Sequence, residues 1–286
     1  MKSALKAAVE YYIYSSIHIS IAAVCFSAEI FYILNIPVDR DFLIFVGLST
    51  LLTYSLHRII GVRKLSSENA SRRFVVIEKM LPLILLIGAV SVIGLLYYVF
   101  RIPSSSYIHF AFTGAVCFLY VLPVMHSQKR LRDLPYVKIF FIAIVWAYVA
   151  CIPAFTDYES IDTILLLFLF VEKLIFIFLI TLPFDIRDLE IDRSMQVKTL
   201  AHKLGLKNSY SVISYCLGLN LICWILIVTI IPLKLASILC LITMFSLVAL
   251  SLHISKAKES DLYYSGLLDG VIIIRSLLVI IAFYLF

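Results

Sequence analysis

The sequence predicts an all-α polytopic membrane protein with nine transmembrane helices. Three observations carry this. The 286 residues are 63% hydrophobic and only 15% charged, with a mean hydropathy of +1.05. That is too little charge for a soluble domain. Several apolar runs approach or exceed the roughly 20 residues that cross a bilayer as a helix. The basic residues between those runs alternate between crowded and sparse. Backbone polar groups in lipid must be satisfied within each segment, which leaves helices or closed barrels. Continuous apolar runs without strict alternation exclude the barrel.

The nine segments follow in order. The first runs from Tyr11 to Leu34 after a short basic start with Lys2 and Lys6, and reads as a retained span rather than a cleaved signal. The second is Phe42 to Leu56, followed by Arg58, Arg63, Lys64, Arg72 and Arg73. The third is Val76 to Phe100 and the fourth Tyr107 to Val124, followed by Lys129, Arg130, Arg132 and Lys138. The fifth is Val137 to Ala154 and the sixth Ile161 to Leu182, followed by Arg187, Arg193, Lys198, Lys203 and Lys207. The seventh is Tyr210 to Ile231, the eighth Leu233 to His253, followed by Lys256 and Lys258, and the ninth Leu267 to Phe286.

With the N-terminus in the cytosol, every crowded loop is cytosolic. The other side holds only Arg40, Arg101 and Lys234, as the positive-inside rule requires. The C-terminus then lies on the opposite side, and the expected location is a bacterial inner membrane. The two long cytosolic loops, after spans two and six, are four helices apart. This suggests two four-helix halves plus a ninth helix within one membrane-embedded domain, residues 1–286. No Gly/Ser linker marks a separate soluble unit. All six cysteines, Cys25, Cys117, Cys151, Cys216, Cys223 and Cys240, fall in apolar runs without a C-x-x-C pair. They read as small buried hydrophobes.

The chemistry concentrates between Pro183 and Gly205. On a helix, Asp185, Asp188 and Asp192 share one face at i, i+3 and i+7. Arg193, Lys198 and Lys203 follow closely. A solvated acidic face is the plain alternative. Here the cluster continues directly from a membrane span. Hard carboxylate oxygens there suit Mg²⁺, which is typically held by one or two carboxylates plus substrate phosphates.

These residues also carry a family resemblance. Asp185-Ile-Arg-Asp188-Leu-Glu-Ile-Asp192-Arg193, followed by Val197-Lys198-Thr199-Leu200 and Leu204-Gly205, resembles the second aspartate-rich motif of the UbiA superfamily of membrane prenyltransferases. Leu119-Tyr120-Val-Leu-Pro123, with Lys129-Arg130 beyond it, is similar to the family's segment after the fourth helix. The resemblance implies a UbiA-like fold, with the nine transmembrane helices around a central cavity. It also implies transfer of a prenyl group from an isoprenyl diphosphate to a membrane-associated lipophilic acceptor, aromatic or a quinone precursor.

By position it implies Asp185, Asp188 and Asp192 as Mg²⁺ ligands. Asp188, Asp192 and Tyr120 would be catalytic, Tyr120 offering its ring face to cationic character on the reacting carbon. Lys129, Arg130, Arg193 and Lys198 would contact the diphosphate. The apolar bundle would hold the prenyl tail and exclude water.

The family's first motif, N-x-x-x-D-x-x-x-D at the end of helix two, is not present. The region reads Thr53-Tyr-Ser-Leu-His-Arg-Ile-Ile-Gly-Val-Arg63, and alignment puts Ser55, Ile59 and Arg63 on the motif positions. Arg58, Arg63 or Lys64 would then supply fixed positive charge in place of a second metal. The alternative is a non-catalytic UbiA-like protein that binds an isoprenoid or quinone-like lipid, as a partner subunit for instance. A transporter ranks third, because only nine glycines occur and the acidic cluster lies at the membrane edge.

His57 reads either as a ligand or base beside the site, or as a polar helix end. His18 and Glu29 lie within the first span and read as residues meeting a neighbouring helix. Glu172, Lys173 and Arg275 are deeper, and each would cost roughly 2.5–3.5 kcal/mol alone at the bilayer centre. That cost makes a Glu172–Arg275 pair the simplest arrangement. Asp269 is expected near the cavity rim. Trp146, Trp224 and the other aromatics read as packing or lipid-facing residues. No nucleic-acid module is present, and the net charge of +6 suits anionic lipid and diphosphate. Neither oligomeric state nor acceptor identity is encoded in a recognisable motif.

Overall fold

The computed structural model describes residues 2–63, 72–124, 130–158, 161–194, 197–231, 233–256 and 260–284. Lys64 and Lys129 lie outside these residues, and the side chain of Arg63 is likewise outside the description. Twelve α-helices are described: α1 Lys2–Tyr14, α2 Ile17–Ile33, α3 Arg40–Arg63, α4 Arg72–Lys79, α5 Leu81–Tyr98, α6 Ser106–Val121, α7 Lys138–Cys151, α8 Thr163–Arg187, α9 Leu189–Ser194, α10 Leu200–Ile230, α11 Leu235–Ser255 and α12 Asp269–Tyr284. A 3-10 turn, Leu131–Asp133, precedes α7, and a π-helical turn, Tyr263–Leu268, runs directly into α12.

Six helices are long and apolar enough to cross a membrane: α3, α5, α8, α10, α11, and α12 together with its π-turn. The α1–α2 pair makes a seventh if its 58° break is taken as one bent span. Two shorter apolar helices, α6 and α7, complete the set. Each predicted span overlaps one of these elements, and six of the nine, or seven with the bent pair, reach spanning length among the described residues. The chain is an integral membrane protein.

The breaks have local causes. Ser16 sits at φ 72 between α1 and α2, in the left-handed region. Gly205 at φ 75, ψ 166 breaks the start of α10, a conformation that costs a side-chain-bearing residue about 1–3 kcal/mol. Asp162 caps α8 by accepting from the Ile164 and Leu165 amides at 2.8 and 3.4 Å. Pro183 lies inside α8 and removes one backbone donor just before the acidic stretch.

Packing gives an inner ring and an outer layer. Helices α2, α3, α6, α7, α8 and α12 line the central cavity. Behind them, α5 packs on α3, α10 on α8 and α11 on α12. The outer helices show large apolar side chains outward, such as Leu86, Ile93, Ile225 and Ile242, as lipid-facing surfaces do.

The ring is tied together by charge. Arg275 of α12 donates to Glu172 of α8 at 2.7 and 2.8 Å and contacts Glu29 of α2. Lys173 of α8 pairs with the same Glu29 and donates to the Phe26 carbonyl at 2.6 Å. Asn220 and Trp224 of α10 each donate to Glu172 at 3.0 Å. The expected Glu172–Arg275 pair is therefore one edge of a four-charge cluster that is almost wholly buried. Two carboxylates and two cations cancel, which is how such groups are tolerated at this depth.

Candidate functional site

A cavity of about 370 Å³ opens inside the ring, and its lining changes character from one end to the other. The inner wall is apolar and aromatic, with Tyr54, Val116, Phe141, Ile142, Val145, Trp146, Ile177, Ile180 and Ile272. The mouth is charged. Arg58, Arg73, Arg130, Arg132, Lys138 and Arg187 face Asp188, Asp192 and Asp269.

The acidic side is built by the end of α8 and by α9. One helical turn separates Asp188 from Asp192, and the Asp192 amide donates to the Asp188 carbonyl at 2.8 Å. Asp188 accepts a fork from Arg187, Nε to Oδ1 at 2.7 Å and an Nη to Oδ2 at 3.0 Å. Arg187 also reaches Asp261 at 3.3 Å, and Arg73 reaches the same Asp261 at 3.6 Å. Asp185 is 1% exposed, with Lys138 Nζ 2.8 Å from its Oδ1. That ammonium is 3.8 Å from Asp192 Oδ2, so Lys138 stands between two of the three aspartates.

Burial raises the affinity of Asp192 for its proton, Lys138 opposes this, and the nearby Asp188 and Asp185 add to it; the carboxyl ends above the usual range. Asp188 goes the other way. Burial would raise it, but the Arg187 hydrogen bonds and charge outweigh burial and hold it below the usual range.

The opposite side of the mouth is basic. Arg58 of α3 donates from Nε to Ser16 Oγ at 2.8 Å and from an Nη to the Ile13 carbonyl at 3.1 Å, across the α1–α2 break. Its guanidinium lies over the Tyr14 ring at 5.6 Å. Arg132 contacts His57 Nε2 and lies over the Tyr120 ring at 5.8 Å. Neither Arg58 nor Arg132 has a carboxylate at ion-pair distance among the described residues. Arg130, by contrast, is held by Asp133 at 2.7 Å.

Several expectations can now be placed. Asp188, Asp192, Tyr120, Arg58 and Arg130 line one cavity. Asp185 lies behind them, on Lys138. Arg193 and Lys198 line a separate depression with Tyr136, Val197 and His202. His57 lies against Arg132, and His18 bonds Tyr12 and the Gly266 carbonyl at 3.1 and 2.8 Å.

The alignment of the first motif is corrected. Ser55 is fully buried and faces Gly88 of α5, and Ile59 packs with the Ile13–Met80 cluster. The α3 residues on the cavity are Thr53, Tyr54, His57, Arg58 and Gly61. With no aspartate in the segment, nothing in the sequence anchored the helical register. Lys138, Arg187 and Arg132 are site residues that sequence reasoning counted only as loop charge. For Arg187 its place between Asp185 and Asp188 was the available signal, whereas Arg132 and Lys138 lie some fifty positions upstream and carried none.

Among the described residues, no three His, Cys, Asp or Glu side chains converge as a preformed metal cage. Mg²⁺ does not need one, since it is commonly held by one or two carboxylates plus phosphates. Asp185 Oδ2 and Asp192 Oδ2 are buried without a hydrogen-bond partner among the described residues. The orphaned Asp192 oxygen on the cavity wall fits one divalent ion on the α8–α9 side, while Lys138 stands between it and Asp185. The α3 side offers cations instead of carboxylates.

No protein-family model and no curated protein matches the sequence. Solved structures do match. A UbiA homolog from Aeropyrum pernix K1 superposes with a TM-score of 0.69 at 15% identity, over 93% of this chain and 98% of that one. A UbiA homolog from Archaeoglobus fulgidus bound to DMAPP and Mg²⁺ gives 0.62 at 10% identity, over 93% and 98%. A digeranylgeranylglyceryl phosphate synthase structure gives 0.59 at 15% identity, over the whole of both chains. The chain therefore has the UbiA fold.

Proposed function

We propose that this chain is a UbiA-type membrane prenyltransferase, which moves a prenyl group from an isoprenyl diphosphate to a lipophilic acceptor. One observation carries the reading. Arg58 and Arg132 line the cavity mouth without carboxylate partners, facing Asp188 and Asp192 across an apolar interior. A diphosphate carries several negative charges on a greasy tail, and this cavity is cationic at one end and apolar along its wall. The structural neighbours that hold DMAPP or GPP with Mg²⁺ support the same donor class.

In this reading Arg58 and Arg132 take the diphosphate oxygens directly, and Arg130 contributes if it leaves Asp133. Asp192 would hold a divalent ion from the cavity side, with Asp188 beside it on Arg187 and Asp185 behind it on Lys138. A bound Mg²⁺ neutralises charge developing on the departing diphosphate. Lys138 stands between Asp185 and Asp192 and opposes the effect of burial on Asp192. Tyr120 and the apolar wall exclude water from the prenyl carbon. Arg63, Lys129, Arg193 and Lys198 remain proposed diphosphate contacts at or beyond the mouth. Arg193 and Lys198 would serve the approach rather than the bound state, since they line the neighbouring depression. The charge of the loops supports a cytosolic N-terminus, and with it a mouth that opens to the cytosol.

The test is a donor panel. Purified protein receives isoprenyl diphosphates of several chain lengths with Mg²⁺, with and without a lipid extract, and diphosphate and prenylated products are followed by mass spectrometry. Release by the wild type and its loss in Asp192→Ala support the reading. Normal turnover by Asp192→Ala overturns the site. The non-catalytic alternative is favoured by the absence of any carboxylate on the cavity face of α3. Donor binding without release from any chain length would establish it.

A further inference from the structure

We infer that Asp269 is the catalytic base that takes the proton of a hydroxyl-bearing acceptor. This rests on the prenyl-transfer reading above and adds the acceptor half of the site.

Three carboxylates line the cavity, and two are already committed. Asp188 holds the Arg187 fork, and Asp192 faces Lys138. Asp269 has no hydrogen bond and no ion pair from its side chain among the described residues. The cations that act on it electrostatically are Arg187 and Arg58, both outside ion-pair distance. Other candidate bases are compromised: His57 Nε2 is against the Arg132 guanidinium, and Tyr120 lies beneath that same group.

The fold holds Asp269 at this place. It directly follows the π-helical turn Tyr263–Leu268, an element often found at functional sites. His18 of α2 bonds the Gly266 carbonyl within that turn, and Gly270 lies against the His18 ring, where an added Cβ would come within 3.4 Å. Ser265 and Ile272 line the cavity on either side, one turn away along the chain. The carboxylate is thereby fixed on the α12 wall, opposite α3 and its Arg58.

The step balances as follows. The acceptor O–H bond breaks and its proton passes to an Asp269 oxygen. The electron pair left on the acceptor forms the bond to C1 of the prenyl group. The C1–O bond of the donor breaks, and its electrons leave with diphosphate. No oxidant or reductant is required. An alcohol and a phenol share this chemistry.

The test uses the full-length protein in detergent, with geranylgeranyl diphosphate as donor and two acceptor probes, geranylgeranylglyceryl phosphate for an alcohol and 4-hydroxybenzoate for a phenol. The expected result for Asp269→Asn is a fall in kcat for transfer of about 10²–10⁴-fold, with donor affinity unchanged, the usual worth of a positioned base. Asp269→Glu should recover part of the rate. The probe that yields an ether, identified by its fragmentation in mass spectrometry, identifies the hydroxyl class, and prenylation only at a ring carbon overturns the step. Transfer by Asp269→Asn at the wild-type rate overturns the inference alone. Loss of donor binding in both variants also overturns it, by making Asp269 structural. Diphosphate release by the wild type without transfer to either hydroxyl probe overturns the inference, whereas no release from any donor of the panel overturns the prenyl-transfer reading, and the inference with it.

Discussion

Replacing Arg58 with Met should weaken donor binding more than it weakens the fold. Two of the arginine's donor directions are already used, on Ser16 Oγ at 2.8 Å and the Ile13 carbonyl at 3.1 Å. The rest of the fork is directed to a cavity with no carboxylate beside it. A hydrogen bond to a charged group contributes roughly 1.5–3 kcal/mol. Losing one such interaction corresponds to about a 10- to 150-fold rise in the Kd of an isoprenyl diphosphate. Arg58→Lys keeps the charge, but a single ammonium cannot hold the α1–α2 break and a phosphate together, so it should fall between wild type and Met. Ser16→Ala removes a tether and no charge, and separates the two roles. Titration calorimetry with geranyl diphosphate measures all three. Binding by Arg58→Met within about twofold of wild type would refute the assignment of Arg58 to the diphosphate, since experimental scatter alone covers about 0.4 kcal/mol.

Other consequences can be checked alongside. Arg275→Met leaves Glu29 and Glu172 with Lys173 as their sole cationic partner, and should destabilise by about 3–5 kcal/mol, as breaking a buried ion pair does. By the soluble-protein relation that is a fall in Tm of at least about 6 °C, readable from tryptophan fluorescence in detergent. Pairing it with Glu172→Gln should recover part of the loss. Asp192 must be ionised to act, and burial already moves that ionisation to higher pH than for an ordinary aspartate. The rate should therefore fall as pH drops while Asp188, held low by Arg187, is still charged. Lys138→Met removes the cation that favours the charged form of Asp192, so the acidic limb of the pH profile should move to higher pH. An unmoved limb would detach Asp192 from it.

The helices were readable because the bilayer sets their length and the loops carry their orientation. Positions that depend on the partner helix were less readable. The cost of burying Glu172 and Arg275 alone was enough to suggest that they pair. Nothing local in Glu29 or Lys173 said that they would close the same cluster, because α2 and α8 are far apart in sequence. On α3 the reading slipped by a few residues. Ser55 and Ile59 turned out to face α5 and the Ile13 cluster, since a run of mixed apolar and basic residues has several helical faces of similar character. In the second motif three aspartates at i, i+3 and i+7 permit one helical face, yet only Asp188 and Asp192 line the cavity, and Asp185 lies behind them on Lys138. Even there, which cation each aspartate meets was settled by the chain entering α7 at Lys138, a residue some fifty positions upstream.

The buried quartet also bears on how the molecule is assembled. Before α12 is in place, α2 and α8 bring together Glu29, Glu172 and Lys173, two negative charges and one positive. Glu172 can find Asn220 and Trp224 once α10 arrives, but these donors are neutral. Electroneutrality waits for Arg275, on the last helix described. A nascent chain halted short of α12 thus keeps an uncompensated carboxylate within the hydrocarbon layer. The charge balance of the membrane interior is therefore completed only by the last described helix, which ties the end of the chain to its beginning.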